Sequence, residues 1–168
     1  MTAAALHPRL QEIVDDFNAM AGKDRLQLLL EFSQEVPDLP GRYAEHHDLL
    51  EPVPECQSPV FLAVEVEPDA TVRLFFDAPP EAPTTRGFAG ILHAGLDGLD
   101  ADEVLATPGE FSSRLGLQDL VSPLRLRGMA AMLARIKTQI RDQRGLERHP
   151  PGPLREGAAC PSLTPPRD

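Results

Sequence analysis

The chain has 168 residues, enough to bury one core without disulfides or metals. A formal net charge of −10 argues against gripping nucleic-acid phosphates and against binding an anionic membrane surface. Apolar residues at 42% and charged residues at 25% match an ordinary globular protein, with no stretch approaching the roughly 20 apolar residues of a membrane span.

Met1 to His7 lacks a basic region followed by an apolar one, so no signal peptide is expected. Leu10, Ile13, Val14, Phe17 and Met20 recur at spacings of three and four, which predicts an amphipathic helix. Asp24 can cap a second helix presenting Leu26, Leu29, Leu30 and Ser33, which stops before Pro37. Residues 37 to 54 read as a polar connection holding His46, His47 and the acids Glu45, Asp48 and Glu51.

Val60 to Glu67 alternates apolar and other residues at period two. Pro68-Asp69-Ala70 makes a turn and Thr71 to Asp77 alternates again, so a hairpin is predicted. Two strands alone are marginal, and Leu49 to Val53 is the candidate for a short third. Pro83-Thr84-Thr85 opens a helix carrying Phe88, Ile91, Leu92 and Leu96. Short helices follow around 101–106 and 110–115. Ser122-Pro123 starts the last helix, a capping hydroxyl followed by proline at the first helical position. It buries Leu126, Met129, Leu133, Ile136 and Ile140. The order predicts an α+β domain: a small antiparallel sheet of two to three strands packed against N- and C-terminal helices. The domain spans 1–144, and the Pro/Gly-rich stretch 145–168 reads as a disordered tail.

Cys56 stands between Pro54 and Pro59 on a stiff non-helical loop that feeds a strand, where a thiol can be presented to something else. Its only companion, Cys160, is 104 positions away in the tail, so a disulfide framework is not expected and the cytoplasm is the expected compartment. A flexible tail could let Cys160 close onto Cys56 under oxidation. A metal site would need Cys56 with His46, His47 or His93. Their spacings are not those of a metal motif, so none is expected.

Three blocks carry a family resemblance. They are Cys56-Gln57-Ser58 with Val60-Phe61-Leu62, then Arg86-Gly87-Phe88-Ala89-Gly90-Ile91, then Ser122-Pro123-Leu124-Arg125-Leu126-Arg127-Gly128-Met129. In order and spacing the chain from about residue 8 to 142 resembles the SufE family of sulfur acceptors for cysteine desulfurases. Glu55 stands where many members have Gly, and Phe61 where Trp is frequent.

The resemblance implies a sulfur carrier and desulfurase activator rather than an independent enzyme, serving iron–sulfur cluster assembly. Cys56 would take sulfane sulfur as a persulfide, with Gln57, Ser58, Arg86 and Arg125 supporting the thiol or binding the partner. No cofactor is implied on this chain; pyridoxal phosphate belongs to the desulfurase. The partners implied are that desulfurase and a downstream iron–sulfur scaffold, with no nucleic acid and no membrane. Only the thiolate is nucleophilic, and Glu55 with the acidic domain disfavours ionisation, so Arg86, Arg125 or the partner must offset them. Val60 and Phe61 could shelter the idle thiol, and Gly87 and Gly128 suggest close packing against the Cys loop or sheet. Two rival readings remain at this point: a thiol hydrolase pairing Cys56 with a histidine, and an interaction module with an inert cysteine.

Overall fold

The computed structural model describes residues 5–145. Six helices and a three-stranded antiparallel sheet make an α+β domain, as the sequence predicts. The helices are α1 (Pro8–Asn18), α2 (Gly22–Gln34), α3 (Gly41–Ala44), α4 (Pro83–Leu96), α5 (Ala101–Leu105) and α6 (Pro123–Arg144). The strands are β1 (Glu51–Pro52), β2 (Phe61–Val66) and β3 (Val72–Asp77), in the order β1-β2-β3. Of the tail expected at 145–168 only Gly145, which ends α6, is described; the rest, with Cys160, lies outside the described residues.

Start signals behave as their chemistry dictates. Ser122 caps α6 by accepting from the Arg125 N–H, with Pro123 at the first helical position. Asp24 is not the cap of α2. Ala21 takes that position without a side-chain bond, and Asp24 sits in the first turn, where its charge complements the helix dipole. Met20 falls beyond the end of α1 and is exposed, as are Leu26 and Leu30 on the outer side of α2. The inner side of that helix contributes Leu29 and Ser33.

The main core lies between the helices and one face of the sheet. Met129, Met132, Leu133, Ile136 and Ile140 of α6 pack there against Leu62, Val64, Leu74 and Phe76. Burying each such side chain is worth about 1.5–3 kcal/mol of transfer free energy. The other sheet face is not left to solvent. Ala63 packs with Tyr43 and Leu50, and Phe61 and Phe75 flank them, so the connection after α2 covers the sheet with a second small cluster.

Because β1 spans only two residues, β2 has an open edge beyond Leu62. Side-chain amides of α6 close it. The Val64 N–H donates to Gln139 Oε1 at 2.9 Å and the Val66 N–H to Gln143 Oε1 at 3.0 Å. Gln143 Nε2 returns a bond to the Val64 carbonyl at 2.6 Å. An exposed row of unpaired backbone groups would otherwise invite another strand. These bonds also fix the rotation of α6, which sets what it presents to the Cys56 loop.

Candidate functional site

The loop between β1 and β2 is tied at its base. Val53 and Val60 are buried, and the Val53 N–H donates to the Val60 carbonyl at 2.9 Å. Residues 54–59 project from that knot as a short turn, with the Cys56 N–H donating back to the Val53 carbonyl at 3.1 Å. The loop lies along α6 and meets it at three points. Gln57 Oε1 accepts from Arg125 Nε at 3.4 Å. Cys56 rests over Gly128, where an added Cβ would stand 3.0 Å from its sulfur. Glu55 takes both its oxygens to Arg135 Nη2, at 2.8 and 2.9 Å.

Gly128 therefore makes room for the cysteine, the close approach to the loop expected from sequence. Gly87 packs elsewhere: its missing Cβ lets α4 approach Leu29 of α2 rather than the loop or the sheet. Shelter for the thiol comes from α6 and the edge of the main core, against which Cys56 is half-buried. Val60 and Phe61 do not form that pocket together. Val60 points into the core, whereas Phe61 joins the second cluster on the opposite sheet face, edge-on to His47 at 4.3 Å between ring centroids.

Beside the loop lies a cavity of about 330 Å³, lined by Gln57, Ser58, Glu81, Thr84, Thr85 and Arg125. The fold thus brings Gln57, Ser58 and Arg125 together next to Cys56. Arg86 is not with them. Its guanidinium donates to the carbonyls of Ser33, Ala78 and Val36, stitching the end of α2 and the residue after β3 to the start of α4. It fixes the wall of the cavity without touching the thiol.

The charges that reach Cys56 come from Glu55 and Arg135. Burial, first, and then the Glu55 carboxylate push the thiol up to about 11, while Arg135 pulls it the other way. Arg135 in turn holds the Glu55 carboxyl below its usual range, mainly by hydrogen bonding. Arg135 is a residue that sequence reasoning missed. Its signal is the spacing of Gly128, Ala131, Arg135, Gln139 and Gln143 at three and then four residues, one stripe of α6 whose polar members reach Glu51, Glu55 and the sheet edge.

Two of the three candidate histidines face other partners. His47 Nε2 lies 2.7 Å from Asp77 Oδ2, and His93 Nε2 lies 3.8 Å from Asp97 Oδ1. Among the described residues no histidine hydrogen-bonds to Cys56, and no group of three or more His, Cys, Asp or Glu is placed to hold a metal ion. No described helix is long and apolar enough to cross a membrane.

A thiol raised this far has a plain kinetic consequence. Moving from 9.0 to about 11 lowers the thiolate fraction at neutral pH about 100-fold. The more basic thiolate is the better nucleophile, with a Brønsted slope of about 0.4–0.5, so the net slowing is about tenfold. Alkylation of Cys56 by iodoacetamide in the isolated protein should run about tenfold slower at pH 7 than in a model thiol peptide. Its rate should rise with a midpoint near pH 11; a midpoint near pH 9 would mean that the thiol is unshifted.

The fold and the site define an α+β protein that presents a thiol on a tethered loop, with no hydrolytic dyad at that thiol among the described residues. The chain belongs to the SufE family, whose Fe-S metabolism associated domain matches residues 11–140. A SufE-like protein of Mycobacterium tuberculosis is 57% identical over 143 residues, covering 84% of this chain and 99% of that one. The chloroplastic/mitochondrial SufE-like protein 1 of Arabidopsis thaliana is 29% identical over 129 residues, 76% of this chain but 33% of the plant protein. The solution structure of a hypothetical protein from Thermus thermophilus superposes with a TM-score of 0.74 at 38% identity, covering 84% of this chain and 99% of that one. These likenesses support a role in iron–sulfur metabolism.

Proposed function

We propose that this protein is the sulfur acceptor and activator of a cysteine desulfurase, with Cys56 as the carrier. The observation that carries the reading is the placement of the thiol. It sits near the tip of a short loop whose base is knotted by buried valines, so the tip can be offered outward without unravelling the sheet. In the proposed step the Cys56 thiolate attacks the outer sulfur of a persulfide on the desulfurase. The new bond joins Cys56 Sγ to that sulfur, the old sulfur–sulfur bond breaks, and the partner's thiolate leaves. Cys56 then holds the persulfide until an iron–sulfur scaffold takes its outer sulfur by the same exchange.

Exchange needs a thiolate and access rather than an oriented base, which suits a thiol without a histidine partner. Pyridoxal phosphate works on the desulfurase, where the carbon–sulfur bond of free cysteine is cleaved. The expected cytoplasmic setting belongs to this proposal, since a persulfide carrier requires reducing surroundings to stay unpaired. The test is direct. The protein is incubated with a cysteine desulfurase, pyridoxal phosphate and cysteine, then digested without reductant. One added sulfur atom is expected on the Cys56 peptide, and its absence overturns the proposal.

A further inference from the structure

Arg135 touches both β1, at the base of the cysteine loop, and Glu55, near its tip. Nη1 bonds Glu51 Oε1 at 2.8 Å on β1, and Nη2 grips both oxygens of Glu55 beside the thiol. The two ends are not equivalent. Glu51 is secured twice, because its other oxygen accepts from Gln139 Nε2 at 2.7 Å and Gln139 is itself bonded to the β2 backbone. Among the described residues Glu55 has Arg135 as its one side-chain partner, and it is the more exposed carboxylate, at 45% against 36% for Glu51.

That asymmetry decides where the assembly opens. If Glu55 leaves, Arg135 keeps Glu51, so the guanidinium, on a side chain 25% exposed, is never left without a counter-charge. Glu55 itself moves into water, where a carboxylate is well solvated. The remaining contacts of the tip with α6 are slight: a 3.4 Å bond from Arg125 to Gln57 and the seat of Cys56 over a glycine.

We propose that Arg135 is a positioning residue that latches the Cys56 loop, and that release of Glu55 from Arg135 is the step that exposes the thiol for exchange. Its purpose rests on the sulfur-acceptor reading above, but the opening itself is a property of the isolated protein. A latch of this kind also accounts for the placement of Glu55, which otherwise only hinders a nucleophile. The carboxylate adds to the burial that holds the idle thiol protonated, and through Arg135 it anchors the loop; both effects lapse when it swings away.

Latch and plain electrostatics predict opposite signs for one substitution. In a Cys160→Ser background, so that Cys56 is the single thiol, iodoacetamide alkylation is measured without any desulfurase. Arg135→Met removes a positive charge that favours the thiolate, so electrostatics alone slows alkylation. The latch predicts acceleration of about fivefold, the equivalent of an exposed ion pair near the top of its usual range. Arg135→Lys keeps the charge but offers a point ammonium in place of the planar fork that bridges two carboxylates. It too should react faster than wild type. Circular dichroism confirms that each variant is folded. Slower alkylation in Arg135→Met, or an unchanged rate in folded Arg135→Lys, overturns the latch. Sulfur transfer from the desulfurase to Cys56 is scored separately, so a failed latch and a failed acceptor reading remain distinct outcomes.

Discussion

Replacing Gly90 with alanine is expected to lower the melting temperature by about 6–12 °C, the equivalent of about 3 kcal/mol in a chain of this size. The expectation runs against helix propensity, by which Gly→Ala in mid-helix gains about 1 kcal/mol. Space decides. A Cβ at Gly90 would stand 2.0 Å from the Phe32 carbonyl oxygen and 2.7 Å from its carbon. Those are backbone atoms of α2 and cannot rotate aside as a side chain can. The two helices must separate, and overpacking of this kind typically costs about 1–3 kcal/mol, occasionally more. Separation also disturbs the stack of Phe32 on the fully buried Phe17, whose rings lie 5.9 Å apart. Gly109→Ala is the control. Nothing stands within 4 Å of that site, and stability there should shift by less than about 0.5 kcal/mol. A Gly90→Ala variant as stable as wild type would mean that α2 and α4 are not in such close contact.

The same close crossing matters to the site. Arg86 fastens the end of α2 to the start of α4, and the first turn of α4 supplies Thr84 and Thr85 to the cavity beside the loop. The spacing of α2 and α4 is thus one wall's distance from the surface where a partner would meet Cys56.

What could be read from the sequence was whatever is encoded locally. Ser122-Pro123 starts α6 because capping and a fixed φ act within one turn. The hairpin follows from alternation and a turn, and the cysteine loop from two prolines. What could not be read depends on residues far apart in the chain. Arg135 meets Glu51 and Glu55 across more than 80 positions in one case and 80 in the other, and in isolation it is one more arginine on a long helix. Arg86 drew attention through its place in a motif, but its role was set by which carbonyls surround it. The second apolar cluster was hidden for a related reason. Alternation implies one wet sheet face, and only the folded connection shows Tyr43 and Leu50 covering Ala63.

Glu55 changes its meaning between the two levels. In the sequence it is a negative charge beside a nucleophile. In the fold it is also half of an ion pair that holds the loop down. Burial remains the larger cause of the raised thiol, so moving the loop out of its seat should activate Cys56 more than neutralising Glu55 in place. A docking protein that draws the loop outward would thereby raise both exposure and thiolate fraction in one movement.

Cys56→Ser should abolish acceptance of sulfur while leaving the fold intact. The hydroxyl does not ionise near neutral pH and forms no persulfide, so no added sulfur is expected on that peptide. Acceleration of the desulfurase should fall to the level seen without the protein. Stability should change by less than about 1 kcal/mol, because the side chain is only half-buried and keeps its size. The bonds that shape the loop do not involve the sulfur. Val53 still ties to Val60, the residue 56 N–H still reaches the Val53 carbonyl, and Glu55 keeps Arg135. The variant should therefore dock as wild type does and, in excess, compete with it for the desulfurase. That competition separates a carrier from a bystander, since a loop merely misfolded by the substitution would not compete. Should Cys56→Ser accelerate the desulfurase as well as wild type does, the thiol is inert and the protein acts as an interaction module alone.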